Sequence, residues 1–205
     1  YTGNQLAVVR EAKALSSVEM QKIAKEMHFS ETTFILSDEQ RNGGYDVRIF
    51  SPEKELPFAG HPSLGTAYVI QREIAQGRID EVILNLKVGQ IPVTFGGNGK
   101  KSDVLWMKQI QPIFGQPFDA ESVSQVLGLD VDEIDTMFPI QEVSTGVFFI
   151  MVPLKSLDAL KRARTIRDKY FELIENAQGK AILVFCPEAY NKENDLGVRV
   201  FADYY

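Results

Sequence analysis

The chain has 205 residues, 44% of them hydrophobic and 24% charged, with a net charge of −6 at pH 7. That composition fits a folded chain and excludes a disordered one. Its longest apolar runs, such as Gly146 to Pro153 and Ala181 to Pro187, are strand-length and short of the roughly 18 to 20 residues a membrane span needs. An acidic balance without clustered Lys and Arg argues against nucleic acid. The lone Cys186 rules out a disulfide framework within the chain and suits a reducing cytoplasm.

In chain order, Leu6 to Val9 reads as a strand. Ser16 and Glu19 then stand in capping-box spacing, and Met20, Ile23, Ala24 and Met27 recur at i, i+3, i+4 and i+7, which predicts an amphipathic helix ending near His28. Strands follow over Thr32 to Leu36 and Tyr45 to Phe50. A second helix is expected from Pro62, where a missing N–H costs a helix nothing, to about Gln76. Its middle, Ala67-Tyr68-Val69-Ile70, is apolar on every side, so it reads as a helix surrounded by protein. Val82 to Val88, Ile91 to Phe95 and Val104 to Met107 read as strands, with Gly96 to Lys101 a hairpin turn rather than a phosphate loop, since no Ser or Thr follows the Lys pair in Walker spacing. Asp119 to Leu127 reads as a helix closed by Gly128. Val143 to Val152 reads as strand-like, most of Ser156 to Ala177 as helix broken near Arg164-Thr165, and Ala181 to Cys186 and Val198 to Phe201 as strands. The basic run from Lys155 to Lys169 also holds Asp158 and Asp168 and reads as a solvated helix face.

Two stretches recur in the same order. Thr2-Gly3 leads into Leu6-Ala7-Val8-Val9 as Thr145-Gly146 leads into Phe149-Ile150-Met151-Val152, and Val47-Arg48-Ile49-Phe50 returns as Val198-Arg199-Val200-Phe201. With a helix and then a strand between them both times, this predicts a duplicated α+β unit. The first half would span residues 1–112 and the second 113–205. The first copy goes on to the Gly60-His61-Pro62 turn and its helix. The second reaches only Ala202-Asp203-Tyr204-Tyr205, so the second half is expected to be incomplete, stopping before its central helix.

Two segments carry chemistry. Ser30-Glu31-Thr32-Thr33-Phe34 sets a carboxylate at the start of an interior strand, where loss of water favours the acid form and moves its pKa from about 4.3 toward the range useful for proton transfer. Position alone equally allows Glu31 to accept turn hydrogen bonds or to pair with Arg48. In Ala59-Gly60-His61-Pro62-Ser63, Gly60 permits close backbone approach, and the helix aims free N–H groups and its positive end above His61, which suits a carboxylate. His61 could donate a proton there, its ordinary pKa being about 6.5, or simply cap its own helix. Thr2-Gly3-Asn4-Gln5 and Ser144-Thr145-Gly146 are turns that could offer ligand contacts through Asn4, Ser144 and Gly146. His28 and His61 are the only histidines, so metal-ligand spacing is absent. Cys186 sits in an apolar run and reads as core.

Together, Gly3-Asn4-Gln5-Leu6-Ala7-Val8-Val9, Met20-Gln21-Lys22-Ile23-Ala24, Ser30 to Phe34, Val47 to Pro52 and Glu55 to Pro62 resemble the phenazine-biosynthesis PhzF-like family. Ser144-Thr145-Gly146, Val152-Pro153 and Val198 to Phe201 extend the likeness over nearly the whole chain. The resemblance implies a diaminopimelate-epimerase-like α+β fold of two pseudo-symmetric halves. Each would be a curved, mostly antiparallel sheet wrapped around a central helix. It implies a cofactor-free isomerase that moves a proton on a small anionic metabolite, with Glu31 as acid/base and His61 as proton donor or orienter. Asn4, Gly60, Ser63, Ser144 and Gly146 would be the substrate-positioning groups. A homodimer is also implied. The acidic segment that the family carries after its second Val-Arg-Val-Phe is not reached by Tyr205. Related racemases use two thiols, but Ala59 stands before Gly60-His61 and Cys186 lies elsewhere, so two-thiol chemistry is not expected. The alternative reading is a binding or regulatory protein that keeps the cleft without turnover.

Overall fold

Ser16 begins the first helix as its spacing requires. The Glu19 N–H donates to Ser16 Oγ at 3.3 Å, and the Ser16 N–H donates to Glu19 Oε2 at 2.8 Å, so two otherwise orphaned donors are satisfied at one helix end. The helix, α1 (Ser17–Met27), buries Met20 and Ala24 and closes on His28, which takes a left-handed conformation at φ 54°. The structure, a computed structural model, describes residues 3–75, 79–96 and 104–203. The chain divides into two compact units, Tyr1–Ile110 and Gln111–Tyr205.

In the first unit, β1 (Leu6–Val9) lies parallel to β2 (Glu31–Ile35), which pairs antiparallel with β3 (Tyr45–Phe50). A short strand, β4 (Glu55–Leu56), folds back on β3, and the sheet continues through β5 (Glu81–Leu86), β6 (Gly89–Phe95) and β7 (Leu105–Met107). Side chains alternate across a strand, so the sheet has two apolar faces. Phe34 and Phe50 pack edge to face at 5.4 Å against Met20 and Ala24 of α1. On the other side, Ile35, Val47, Ile49, Leu84 and Val93 bury against Ala67 and Ile70.

Those last two residues belong to the helix around which the sheet curls. The helix α2 (Gly60–Val69) continues as one wider π turn, Ile70–Ile74, and touches β1, β2, β5, β6 and β7. It begins two residues before Pro62, with Ala59 as N-cap, because Gly60 and His61 adopt helical geometry ahead of the proline. The expectation that it is enclosed on all sides needs one correction. Tyr68 is 46% exposed, and its hydroxyl accepts from Arg72 at 3.1 Å, so one flank is open. The expected end of the helix at Gln76 and the turn around Gly97 to Lys101 lie outside the described residues.

The second unit is a five-stranded sheet in the order β12-β11-β10-β9-β8. The strands are β8 (Ile113–Pro117), β9 (Gln141–Ser144), β10 (Phe148–Pro153), β11 (Ala181–Cys186) and β12 (Gly197–Phe201). The helices are α3 (Ala120–Leu127), α4 (Leu157–Arg162) and α5 (Arg167–Glu175). Asp119 caps α3 by accepting from the Ser122 N–H, and Gly128 closes it in the left-handed region that favours glycine. Helix breaks at Ala163 to Ile166, where the chain turns extended. The strand-like segment over Val143 to Val152 is a hairpin that reverses at the turn expected from Ser144-Thr145-Gly146. Gly146 at φ 141° reverses the chain, and its N–H donates to Ser144 Oγ at 2.9 Å. Ile150, Val152, Ile182, Val184 and the buried Cys186 form the core with α3, α4 and α5.

The two units repeat one local plan. In each, a parallel strand pair is joined through helix and followed by an antiparallel third strand. Phe34 pairs with Arg48 in the first, and Val184 with Arg199 in the second. Each arginine lies over the phenylalanine two residues on, at 5.1 Å for Phe50 and 4.8 Å for Phe201. Each also donates to its helical crossover, Arg48 to Ser17 Oγ and Arg199 to the carbonyls of Leu160 and Ala163.

Candidate active site

Glu31 is the first residue of β2, level with Leu6 of β1, where both parallel strands begin. Phe34 and Ile35 bury the strand behind it, so the carboxyl is held at the rim of an apolar core. His61 stands in the first turn of α2, and its Nε2 lies 3.3 Å from Glu31 Oε2. The contact is close but not aligned as a hydrogen bond, and Glu31 Oε2, shielded from solvent, has no hydrogen-bond donor among the described residues. Burial pushes the Glu31 carboxyl above the ordinary carboxylate value, and the opposing charge of His61 pulls it partly back. Arg48 is committed elsewhere. It holds Glu55 through two 2.8 Å bonds, and Glu55 also accepts from Lys87.

The other first-unit candidates lie on the segments that carry this pair. Asn4 Oδ1 accepts from the hydroxyl of Ser30, beside Glu31, at 3.0 Å. Gly60 opens α2, and its N–H and that of His61 meet no acceptor among the described residues, while Pro62 has no N–H. No side chain caps this helix start, which leaves a concentration of positive potential beside Glu31. Ser63 is buried, and its hydroxyl donates to the Ala59 carbonyl at 2.7 Å. Ser144 and Gly146 belong to the second unit, where they form the hairpin turn already described.

Two threonines join the strand of Glu31 to the helix of His61. Thr33 and Thr66 are fully buried, with their oxygens 2.7 Å apart, and Thr66 donates to the Pro62 carbonyl at 2.7 Å. The sequence marks them only as hydroxyls in otherwise apolar strand and helix interiors. Close approach of helix and sheet also depends on Gly65, where a Cβ would stand 2.6 Å from Leu6 Cδ2. Among the described residues, no three His, Cys, Asp or Glu side chains gather to hold a metal ion, and no helix is long and apolar enough to cross a membrane.

Comparison with known proteins places this geometry among relatives. The sequence profile described as phenazine biosynthesis-like protein matches residues 1–205. An uncharacterized isomerase of Mesorhizobium japonicum is 30% identical over 206 residues, covering 97% of this chain and 67% of that protein. A trans-2,3-dihydro-3-hydroxyanthranilate isomerase of Pseudomonas aeruginosa is 35% identical over 158 residues, covering 77% of this chain and 54% of that protein. The crystal structure of a PhzF-family phenazine biosynthesis protein from Bacillus anthracis superposes with a TM-score of 0.83 at 28% identity, covering 99% of this chain and 68% of that one. The chain thus spans between about half and two thirds of the length of these proteins.

Proposed function

Because the chain belongs to the phenazine biosynthesis-like family, we propose that it serves an isomerase that moves a proton on a small carboxylate metabolite without a cofactor, Glu31 being the acid/base. The observation that carries this reading is the half-desolvated Glu31 carboxyl, 3.3 Å from His61 at an uncapped helix start. A carboxylate in that setting is more basic than one in water, so it can take a proton from a substrate C–H bond, and the acid so formed can return it to another carbon. The electron pair left by the first step moves through the substrate to the carbon that is protonated in the second. The substrate carboxylate would lie over the free N–H groups of Gly60 and His61, with the Asn4 amide beside it. His61 would orient Glu31 and donate to the substrate. Ser63, Ser144 and Gly146 remain substrate-positioning candidates, and a cytoplasmic homodimer remains the expected assembly.

The named substrate of the Pseudomonas aeruginosa relative, trans-2,3-dihydro-3-hydroxyanthranilate, is the probe of choice. In heavy water the protein should transfer deuterium to it, seen by NMR as loss of a proton signal, and Glu31→Gln should stop transfer while the protein stays folded. Equal transfer by the variant would remove Glu31 from the mechanism. Saturable binding of the acid, with no exchange in the unaltered protein, would favour a binding protein that keeps the site.

A further inference from the structure

We propose that the buried Thr33–Thr66 hydroxyl pair is a positioning device that sets the separation of Glu31 and His61. The proposal rests on reading those two residues as the working pair. Thr33 follows Glu31 by two residues and so lies on the same face of β2. Thr66 lies one helical turn beyond Pro62, whose carbonyl its hydroxyl engages. A hydroxyl has one proton to give. With the Thr66 proton on the Pro62 carbonyl, the Thr33 proton goes to Thr66 Oγ1 at 2.7 Å, and the Ala7 carbonyl at 3.5 Å is too far to compete well. The order is Thr33 O–H to Thr66 Oγ1, and Thr66 O–H to the Pro62 carbonyl.

Apart from the Glu31–His61 contact itself, the rest of the contact between α2 and the starts of β1 and β2 has no comparable directionality among the described residues. It consists of Leu6 against the bare backbone of Gly65 and of apolar packing through Val8, Leu64 and Ala67. Such packing holds the helix on the sheet but lets it slide or turn by fractions of an ångström at little cost. One directional bond, made inside the core, fixes the remaining freedom. Both threonines are 0% exposed, so water cannot substitute for either partner and the restraint persists in solution. The charge that acts on Glu31 across this contact is His61. Arg48 of β3 lies on the face turned toward α1, engaged with Glu55 and Ser17.

The test reads the site directly and needs no substrate. The protein is labelled at glutamate carboxyl carbons, and the Glu31 titration is followed by NMR in the unaltered protein, Thr33→Val, Thr66→Val, the double variant and Thr66→Ser. Valine keeps the threonine shape without the hydroxyl, and serine keeps the hydroxyl. With the bond lost, His61 draws away and its lowering influence on Glu31 weakens. The Glu31 midpoint should rise by a few tenths of a unit in each valine variant, should rise no further in the double variant than in Thr66→Val because the Thr33–Thr66 bond is already broken there, and should stay in place in Thr66→Ser. Thr33→Val leaves no buried donor unsatisfied, so it remains readable if Thr66→Val does not fold. A midpoint unmoved in Thr33→Val, with a lowered melting temperature, would reduce the pair to a structural bond and overturn the proposal. Additive shifts in the double variant would do the same. Absence of both deuterium transfer and isomer formation in the unaltered protein would instead overturn the isomerase reading while leaving the restraint measurable.

Discussion

Glu31 and Ala181 occupy the same register position in their two sheets. Leu6 of β1 pairs with Glu31 of β2, and Phe149 of β10, its counterpart in the repeat, pairs with Ala181 of β11. Where the first unit sets a carboxyl at the rim of its core, the second sets a buried methyl group, 4% exposed. The duplicated plan therefore repeats the scaffold but not the titratable group. In the proposed reaction, one carboxyl would both remove and return the proton.

A single acid/base has an isotopic consequence. In the proposed reaction the proton taken by Glu31 would stay in a site partly closed to water, so part of it should return to the same substrate molecule before solvent exchanges it. In heavy water, the product of the proposed reaction should keep a measurable share of the substrate's own hydrogen at the newly protonated carbon. Full deuteration at that carbon, even in the earliest product, would show that a second group or water delivers the proton.

The raised pKa of Glu31 also makes a statement about stability. A carboxyl whose folded-state pKa lies above its unfolded value contributes stability that is fully present below the unfolded pKa and lost as pH rises through the folded one. Burial is the cause here, with His61 opposing it. Glu31→Gln removes the ionisation, so its melting temperature relative to the unaltered protein should increase from around pH 4 to around pH 8. A difference that is flat or shrinks over that range would mean that the carboxyl is better solvated than its surroundings imply.

How much of this could be read in the sequence follows from how local each feature is. The capping box at Ser16 and Glu19, the Gly128 helix end and the helix break near Arg164-Thr165 depend on a few neighbouring residues, and each is found in the structure. The turn at Ser144 to Gly146 is legible in its residues, but that it closes a hairpin is not, because apolar residues continue on both sides and the reversal rests on one glycine conformation and one hydroxyl. The strand Ile113–Pro117 was missed altogether. Ile113 and Phe114 are 58% and 62% exposed, no alternation marks the segment, and it is a strand only because β9 pairs with it. Around Glu31, the residues were legible but their partners were not. Arg48 was a reasonable candidate until the β3–β4 turn brought Glu55 within reach, and nothing in the sequence linked Thr33 to a threonine on α2.

The approach of α2 to β1 predicts a steric sensitivity at Gly65. A Cβ there would stand 2.6 Å from Leu6 Cδ2, and the helix would have to lift or Leu6 change rotamer. Gly65→Ala should destabilise the protein by no more than about 1 kcal/mol in denaturant unfolding, since the obstacle is the tip of a leucine that can turn aside and alanine's better helix propensity offsets part of the strain. Shortening the obstacle should restore much of that, so Leu6→Ala combined with Gly65→Ala should lose less than the sum of the two single changes. Simple additivity would mean that the helix already has room to move.

The second unit has its own buried carboxylate, and its role there is to hold backbone. Glu142 is 1% exposed. Its Oε1 accepts from the Gly179 N–H at 2.7 Å and its Oε2 from the Gln116 N–H at 3.2 Å, tying β9 to β8 and to the segment that leads into β11. Gly115 is required beside it, since a Cβ there would come within 2.5 Å of Oε2. Glu142→Gln preserves the shape but turns one acceptor into an N–H₂ group facing a donor, leaving a buried N–H without a partner. The cost should be about 1 to 3 kcal/mol in denaturant unfolding, against less than about 0.5 kcal/mol for Glu172→Gln on the exposed face of α5. Equal stability of the two variants would mean that water reaches Glu142 in solution and satisfies what the substitution leaves open.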